Sequence, residues 1–336
     1  MAMVTAFTAW ICVILVTGPI VDAAPSADLV VNLPSLNFSP NFSSYSGYLS
    51  ASATDKFHYW LTESQRNPSK DPLILWLNGG PGCSSIGGLI EELGPFKVKD
   101  YGATVYANEY SWNLFANVLF LESPSGVGYS FNTNGNVDFL RKFPEYLGRD
   151  TYITGESYGG VYLPTLAVKM LQDKINFPGF KGMAIGNGAL NFPHNYDTMI
   201  PLYYYHGLVR DDSTVENSYT ITHYEMSSEI EQIASAGVRI LIYNGDVDTV
   251  CSHVMNRQFL SNLNRTIIGK ERVNEPWHYL GENPTVGGFQ LRYEGGIDFL
   301  TVRGSGHFVP EDKPREALQM IYNFVSNRDY SLPTPF

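Results

Sequence analysis

Apolar positions along the chain gather in short runs, each stopping at a polar, glycine-rich turn. The runs are PLILWLNGG (72–80), NVLFLESPSG (117–126), TYITGE (151–156), FKGMAIGNG (180–188), VRILIYNGD (238–246) and DFLTVRGSGH (298–307). Runs that are apolar on both faces mark buried parallel strands, because helices then cover both sides of the sheet. Between the runs the period changes. Leu163, Leu166, Ala167, Met170 and Leu171 fall on one helical stripe, and Ala317, Met320, Ile321, Phe324 and Val325 on another. Both predict helices, the second with Asp312 as N-cap and Pro314 in its first turn. Upstream, YSGYLSA…DKFHYWLTES (45–64) predicts an antiparallel hairpin. No repeat, low-complexity tract or linker breaks the alternation. The pattern therefore predicts one α/β domain over 24–336, with a mostly parallel central sheet and helices on both faces.

Composition narrows the class. Of the 336 residues 44% are hydrophobic and 16% charged, which predicts a globular chain. A net charge of −11 with no Lys/Arg-rich cluster repels a phosphate backbone, so no nucleic-acid partner is expected. Residues 1–23 read as a signal peptide: an apolar core over 6–16, a break at Gly18–Pro19, and small residues at Val21 and Ala23 for cleavage. A retained anchor is the rival reading, but nothing apolar continues past Val21, so no membrane association is expected after cleavage. Asn37, Asn41 and Asn264 each begin an N-x-S/T triplet and are expected glycosylation sites in the secretory pathway, lysosomal or extracellular. Of three cysteines, Cys12 leaves with the signal. Cys83 and Cys251 are too few for a disulfide scaffold.

In open α/β sheets, reactive groups collect at the carboxyl ends of strands. At one such end GESYG (155–159) matches G-x-S-x-G, the elbow that raises a serine onto a strand-to-helix turn. The pattern predicts Ser157 as nucleophile, with Gly155 and Gly159 giving room for close backbone. A serine hydroxyl needs a base, and the base needs an orienting acid. His307 follows VRGSG after the last strand run. His58, His194, His206, His223, His253 and His278 lack that setting and read as surface or structural. YNGDVDT offers Asp246 and Asp248; Asp246 reads as a loop cap. The order Ser157, Asp248, His307 is that of an α/β-hydrolase triad. No His, Cys or carboxylate cluster has ligand spacing, so neither a metal nor a cofactor is expected.

Seven blocks in order make the likeness specific: WLNGGPGCSS (76–85), ELGPF (92–96), ESPSGVGYS (122–130), ITGESYGG (153–160), AIGNG (184–188), YNGDVDTVC (243–251) and GSGHFVPEDKP (304–314). Together they resemble the serine carboxypeptidase family. The resemblance implies an α/β-hydrolase that releases C-terminal residues from peptides at acid pH. Ser157, His307 and Asp248 would form the triad. The N–H groups of Gly80 and Tyr158 would form the oxyanion hole. Asn78, the N–H of Gly79, Glu92 and Glu156 would grip the substrate's free carboxylate. On spacing alone Glu92 reads as a solvated helix charge, and only the motif gives it this role. Two carboxylates ~4 Å apart repel by about 4 kcal/mol at an effective dielectric of 20, which favours keeping a proton on the pair. Cys251 would line the site, or else be a small core cysteine. Phe308 would shape an apolar pocket, or else be ordinary core. Homodimers are common in the family and are one expected assembly.

The chain also departs from that pattern. The family's long helical insertion is essentially absent, since HGLVRDD (206–212) runs into STVENSYT (213–220), so the cap subdomain is expected to be largely deleted. The cysteine that the resemblance pairs with Cys83 is lacking, which leaves Cys83 free or joined to Cys251. The crossover GNVDFLRKFPEYLG (135–148) supplies about two helical turns before Pro144. SHVMN (252–256) differs after the thiol. These losses leave two alternatives open: a catalytically impaired or inactive truncated variant, and an esterase or acyltransferase on the same scaffold.

Overall fold

A computed structural model describes residues 25–50, 54–132, 143–195, 197–198, 224–269, 275–281 and 283–336. The expected signal peptide, the 206–220 junction and positions 135–142 of the crossover lie outside the described residues. No described helix is long and apolar enough to cross a membrane.

The predicted hairpin is β1 (Ser44–Ser50) against β2 (Asp55–Thr62), with Tyr45 opposite Leu61 and Leu49 opposite Phe57. Then come β3 (Leu73–Leu77), a side ribbon of β4 (Phe96–Lys99) and β5 (Thr104–Ala107), β6 (Asn117–Leu121) and the short β7 (Phe131–Asn132). β8 (Thr151–Glu156) leads into α1 (Gly159–Gln172) and β9 (Phe180–Gly186). After α2 (Ser227–Ser235) follow β10 (Arg239–Gly245) and α3 (His253–Asn262). The chain closes with β11 (Ile267–Ile268), β12 (Glu275–Tyr279), β13 (Thr285–Tyr293), β14 (Ile297–Val302), α4 (Val309–Asp312) and α5 (Pro314–Val325).

The six apolar runs become β3, β6, β8, β9, β10 and β14. These lie side by side and parallel in the order β6-β3-β8-β9-β10-β14. Antiparallel strands flank them, β1 and β2 at one edge, β13 and β11 at the other, so the whole sheet is mixed. Alternate side chains divide between two cores. Ile74, Trp76, Phe120, Leu241 and Val302 face Ala317, Ile321 and Phe324 of α5. Leu77, Ile153, Met183, Ile240 and Ile242 face α1, α2 and α3 through Leu163, Ile230 and Phe259. Helices thus cover both faces, as buried parallel strands require. In the described part of the short crossover, Pro144–Tyr146 is a single helical turn. Phe143 and Tyr146 are buried there against Leu49, Tyr59 and Leu119.

Two expectations change. The helix after His307 is broken in two, and Asp312 does not cap α5. Its carboxylate turns back to accept from the Gly306 N–H at 2.6 Å, while α5 starts after Lys313 with no side-chain cap. β13 also went unpredicted, because Gly287 and Gly288 interrupt its alternation. Both are required, since a Cβ at Gly287 would overlap the Trp277 ring and one at Gly288 the Thr301 carbonyl.

Candidate active site

Four adjacent strands each end in one polar residue of the site. Ser157 follows β8, Asn187 follows β9, Asp248 lies beyond β10 and His307 beyond β14. Ser157 sits at φ 57, in the left-handed region that non-glycine residues seldom occupy. The turn is held by its own amide, which donates to Gly186 O at 3.0 Å, and by its carbonyl, which accepts from Gly160 and Ala189 N–H at 2.9 Å. A Cβ at Gly155 would overlap the Leu77 carbonyl, so the predicted need for glycine holds there. At Gly159 it does not: a Cβ would lie 3.6 Å from Leu77 O, an ordinary contact. The tight position is Gly160, pressed against Gly188 and Ala189.

Asp248 is buried at 1% exposure, and its carboxylate accepts four hydrogen bonds. Oδ2 takes His307 Nδ1 at 2.9 Å, Asn187 Nδ2 at 2.6 Å and Cys251 N at 3.1 Å, and Oδ1 takes Val250 N at 2.8 Å. Burial alone would raise its pKa, but the His307 hydrogen bond and charge, with the Val250 and Asn187 donors, outweigh it and hold the carboxyl below its ordinary value. Asp246 is the loop cap expected, accepting Gly304 N–H at 2.7 Å. Gly245 at the end of β10 lets the histidine loop pass, as a Cβ there would overlap the Ser305 and Gly306 carbonyls. Among the described residues, no hydrogen bond joins the Ser157 hydroxyl to the His307 ring. Such contacts are often long in unliganded sites and tighten with substrate.

Gly79 lies against the serine turn so closely that a Cβ would overlap the Tyr158 amide and sit 2.7 Å from Ser157 Cβ. Among the described residues neither the Gly80 nor the Tyr158 N–H donates a hydrogen bond. Beneath them Asn78 Nδ2 donates to Glu92 Oε1 at 2.8 Å and to Glu156 Oε1 at 2.9 Å. Asn78 is oriented by Trp76 Nε1, which donates to its Oδ1 at 2.7 Å, and by Gly88 N at 3.2 Å. Glu92 is not the solvated charge that spacing suggests; it is 3% exposed and Glu156 2%. Burial, rather than mutual repulsion, is the first cause that pushes Glu92 up to about 7 and Glu156 well above its ordinary value, with the Glu92 charge next for Glu156. Glu92 Oε2 is buried without a donor, and a proton kept by Glu156 is one that the pair itself can supply.

Cys83 and Cys251 are both free, which closes the question of a bridge between them. Cys251 is buried, and burial followed by the Asp248 and Glu156 charges pushes its thiol far up. Cys83 is exposed on the Gly80 loop. A thiol reagent applied to the folded protein is thus expected to modify Cys83 and spare Cys251, read by peptide mapping. Equal labelling of both would contradict this burial. Phe308 is not core; it is 45% exposed with its ring edge-on to His307 at 5.3 Å. The Tyr158 ring packs on Tyr162 and Phe192. Asn37, Asn41 and Asn264 are all exposed.

Sequence reasoning missed Asn187. It is fully buried at φ 44, donates to Asp248 and accepts Gly245 N at 3.2 Å. The signal was its place at the polar end of the AIGNG run, between the runs that supply Ser157 and Asp248.

A parallel sheet with a strained serine after β8 and an acid–histidine pair after β10 and β14 defines the α/β-hydrolase class. Kex1(Δ)p, a prohormone-processing carboxypeptidase from Saccharomyces cerevisiae, shares this fold at TM-score 0.76, covering 91% of this chain and 96% of that one at 20% identity. The family model for serine carboxypeptidase matches residues 34–224 and 210–327, and this chain belongs to the serine carboxypeptidase family. Serine carboxypeptidase ctsa-4.1 of Caenorhabditis elegans is 46% identical over 450 residues, covering 93% of this chain and 96% of that protein. The lysosomal protective protein of Mus musculus is 30% identical over 459 residues, covering 92% and 96%. Alignments of that span exceed the 336 residues available, so both relatives carry stretches that this chain lacks. The family match itself divides at 210–224, where the cap insertion was expected to be missing.

Proposed function

We propose that this chain hydrolyses C-terminal peptide bonds at acid pH through an acyl-enzyme on Ser157. Ser157 Oγ attacks the scissile carbonyl, His307 accepts its proton and passes it to the leaving amine, and Asp248 holds the imidazole in the required tautomer. Water then attacks the ester with His307 as base. The free N–H groups of Gly80 and Tyr158 receive the oxyanion, each worth roughly 3–4 kcal/mol at the transition state. The observation that carries the reading is the 2.9 Å Asp248–His307 hydrogen bond two strands from the left-handed Ser157 turn. The substrates are peptides with a free C-terminus. The exposed sequon asparagines and the apolar segment 1–23 support a place in the secretory pathway, lysosomal or extracellular.

The grip on the substrate carboxylate falls to Asn78, the Gly79 N–H and the proton shared by Glu92 and Glu156. Both carboxyl pKa values are raised by burial, Glu92 up to about 7, so the pair holds its protons in acid and gives them up as pH climbs. Each proton lost leaves a negative carboxylate facing the substrate's own. KM is therefore expected to rise with pH for a free-acid substrate and much less for its amide, measured from about pH 4.5 to 7.5. A KM that stays level for the free acid would remove this role from the pair.

The primary test treats the purified protein with a fluorophosphonate probe. It then compares a blocked dipeptide bearing a free carboxylate with its amide at about pH 5. Labelling at Ser157 with preference for the free acid is the expected result; labelling without preference indicates an esterase or acyltransferase. A second reading, a truncated variant with impaired catalysis, is favoured by the divided family match and the stretches that relatives carry and this chain lacks. Absence of labelling is its outcome.

A further inference from the structure

Glu122 is a fully buried carboxyl that the chemistry above does not use. It lies one residue beyond β6, and groups from three separate segments converge on it. His58 Nδ1 of β2 meets Oε2 at 3.0 Å, Tyr129 N donates to Oε2 at 2.8 Å, and the Ser84 hydroxyl donates to Oε1. Because a carboxylate only accepts, His58 donates through Nδ1, and its Nε2 then accepts from Ser46 Oγ at 3.0 Å. The 124–130 loop closes over the group. Ser130 Oγ donates to the Glu122 carbonyl at 2.6 Å and accepts His58 N at 2.7 Å, while a Cβ at Gly128 would overlap the carboxylate.

Ser84 stands at the end of the exposed segment 80–83, whose Gly80 and Gly82 both take positive φ, 104° and 96°. Glycine has no side chain to restrict such backbone, so its placement rests on the ties around it. The segment closes on itself through Cys83 N to Gly79 O at 3.1 Å, and the free Cys83 gives it no covalent anchor. Ser85 secures the next residue by accepting Asn78 N at 3.2 Å. Ser84 to Glu122 ties the loop to the neighbouring strand, with Ser84 Oγ also accepting Ile86 N at 3.2 Å.

The geometry points to Glu122 as a positioning residue, held by His58, that fixes through Ser84 the loop carrying the Gly80 oxyanion donor. This rests on the reading of Gly80 as that donor. Loss of an oxyanion donor costs 10²–10³ in kcat, and a donor left in place but loosened loses less, on the order of 10-fold. Ser84→Ala is expected to lower kcat about 10-fold per titrated serine with a much smaller change in KM, since of the carboxylate grip only the Gly79 N–H lies on the loosened loop, and Asn78, Glu92 and Glu156 are held by their own hydrogen bonds. Glu122→Gln places an amide NH₂ against donors and is expected to match it. The double variant is expected to be no worse than either single one, because both remove the same tie. Ser84→Thr keeps a hydroxyl and is expected to recover at least half the wild-type kcat. A second readout, amide hydrogen exchange across 79–85, is expected to quicken in Ser84→Ala and Glu122→Gln.

A competent wild type whose Ser84→Ala variant keeps full kcat per titrated serine, with only its thermal midpoint lowered, would overturn the positioning role and leave the carboxypeptidase reading standing. A wild type that neither reacts with fluorophosphonate nor cleaves the peptide would overturn both.

Discussion

Ser157→Ala is expected to lower kcat/KM for the blocked dipeptide by about 10⁴-fold or more and to abolish fluorophosphonate labelling. Removing the hydroxyl removes the atom that would form the acyl-enzyme, while the proposed oxyanion donors and carboxylate grip would remain, so a residue of catalysis over water is expected. The fold should tolerate the change. The turn is built from backbone hydrogen bonds to Gly186, Gly160 and Ala189, none of which uses the side chain. Alanine meets the same φ of 57 that serine already occupies. A thermal midpoint near that of wild type, beside lost turnover, is the expected pair of results. Turnover within 10-fold of wild type would place the nucleophile elsewhere.

Asp248→Asn is expected to lower kcat by roughly 10⁴-fold with KM little changed, the size known for loss of the orienting acid in such triads. All four partners of Asp248 are donors, His307 Nδ1, Asn187 Nδ2, Val250 N and Cys251 N. An amide offers one accepting oxygen and one NH₂, so at least one donor must face another donor. If His307 yields, its tautomer inverts and its Nε2 no longer accepts from serine. Stability should change with a definite sign. The Asp248 carboxyl is held below its ordinary pKa, so it stabilises the fold above that ordinary value, and the contribution is lost as pH falls through the depressed one. The deficit of Asp248→Asn should therefore be largest near neutrality and shrink in strong acid. Glu92 and Glu156 act oppositely: their pKa values are raised, so their contribution is intact in acid and declines as pH rises, for Glu92 through about 7. Thermal midpoints across pH, and kcat per titrated serine, check both. A variant retaining more than a tenth of kcat would show that Asp248 does not orient the base.

The parallel strands were legible because burial on both faces writes a continuous apolar run, and the site was legible because its residues end those runs. Position set the histidine after the last run apart from six others, while the choice of Asp248 over Asp246 leaned on the family motif as well. What escaped depends on tertiary partners. β13 hides because Gly287 and Gly288 make room for Trp277 and Thr301 from other strands. Glu92 was named by the family motif, but its burial was not legible, since its spacing is that of an exposed helix charge and its contact with Asn78 is tertiary. Asp312 had the spacing of a cap but was drawn to the Gly306 amide, a choice made by where the histidine loop passes. The glycine demand shifted from Gly159 to Gly160 because the obstructing backbone comes from Gly188 and Ala189, invisible to a local pattern.

Contiguity of β8, β9, β10 and β14 has a consequence for how such a protein tolerates change. The spacing between serine, asparagine, aspartate and histidine is set crosswise, by interstrand pairing such as Ile153 with Met183 and Ile242 with Phe299, not lengthwise by the connections. Excursions between strands can be trimmed or extended and the four groups still arrive at one rim. A slip of a single residue within β9 would turn every side chain over and disperse them.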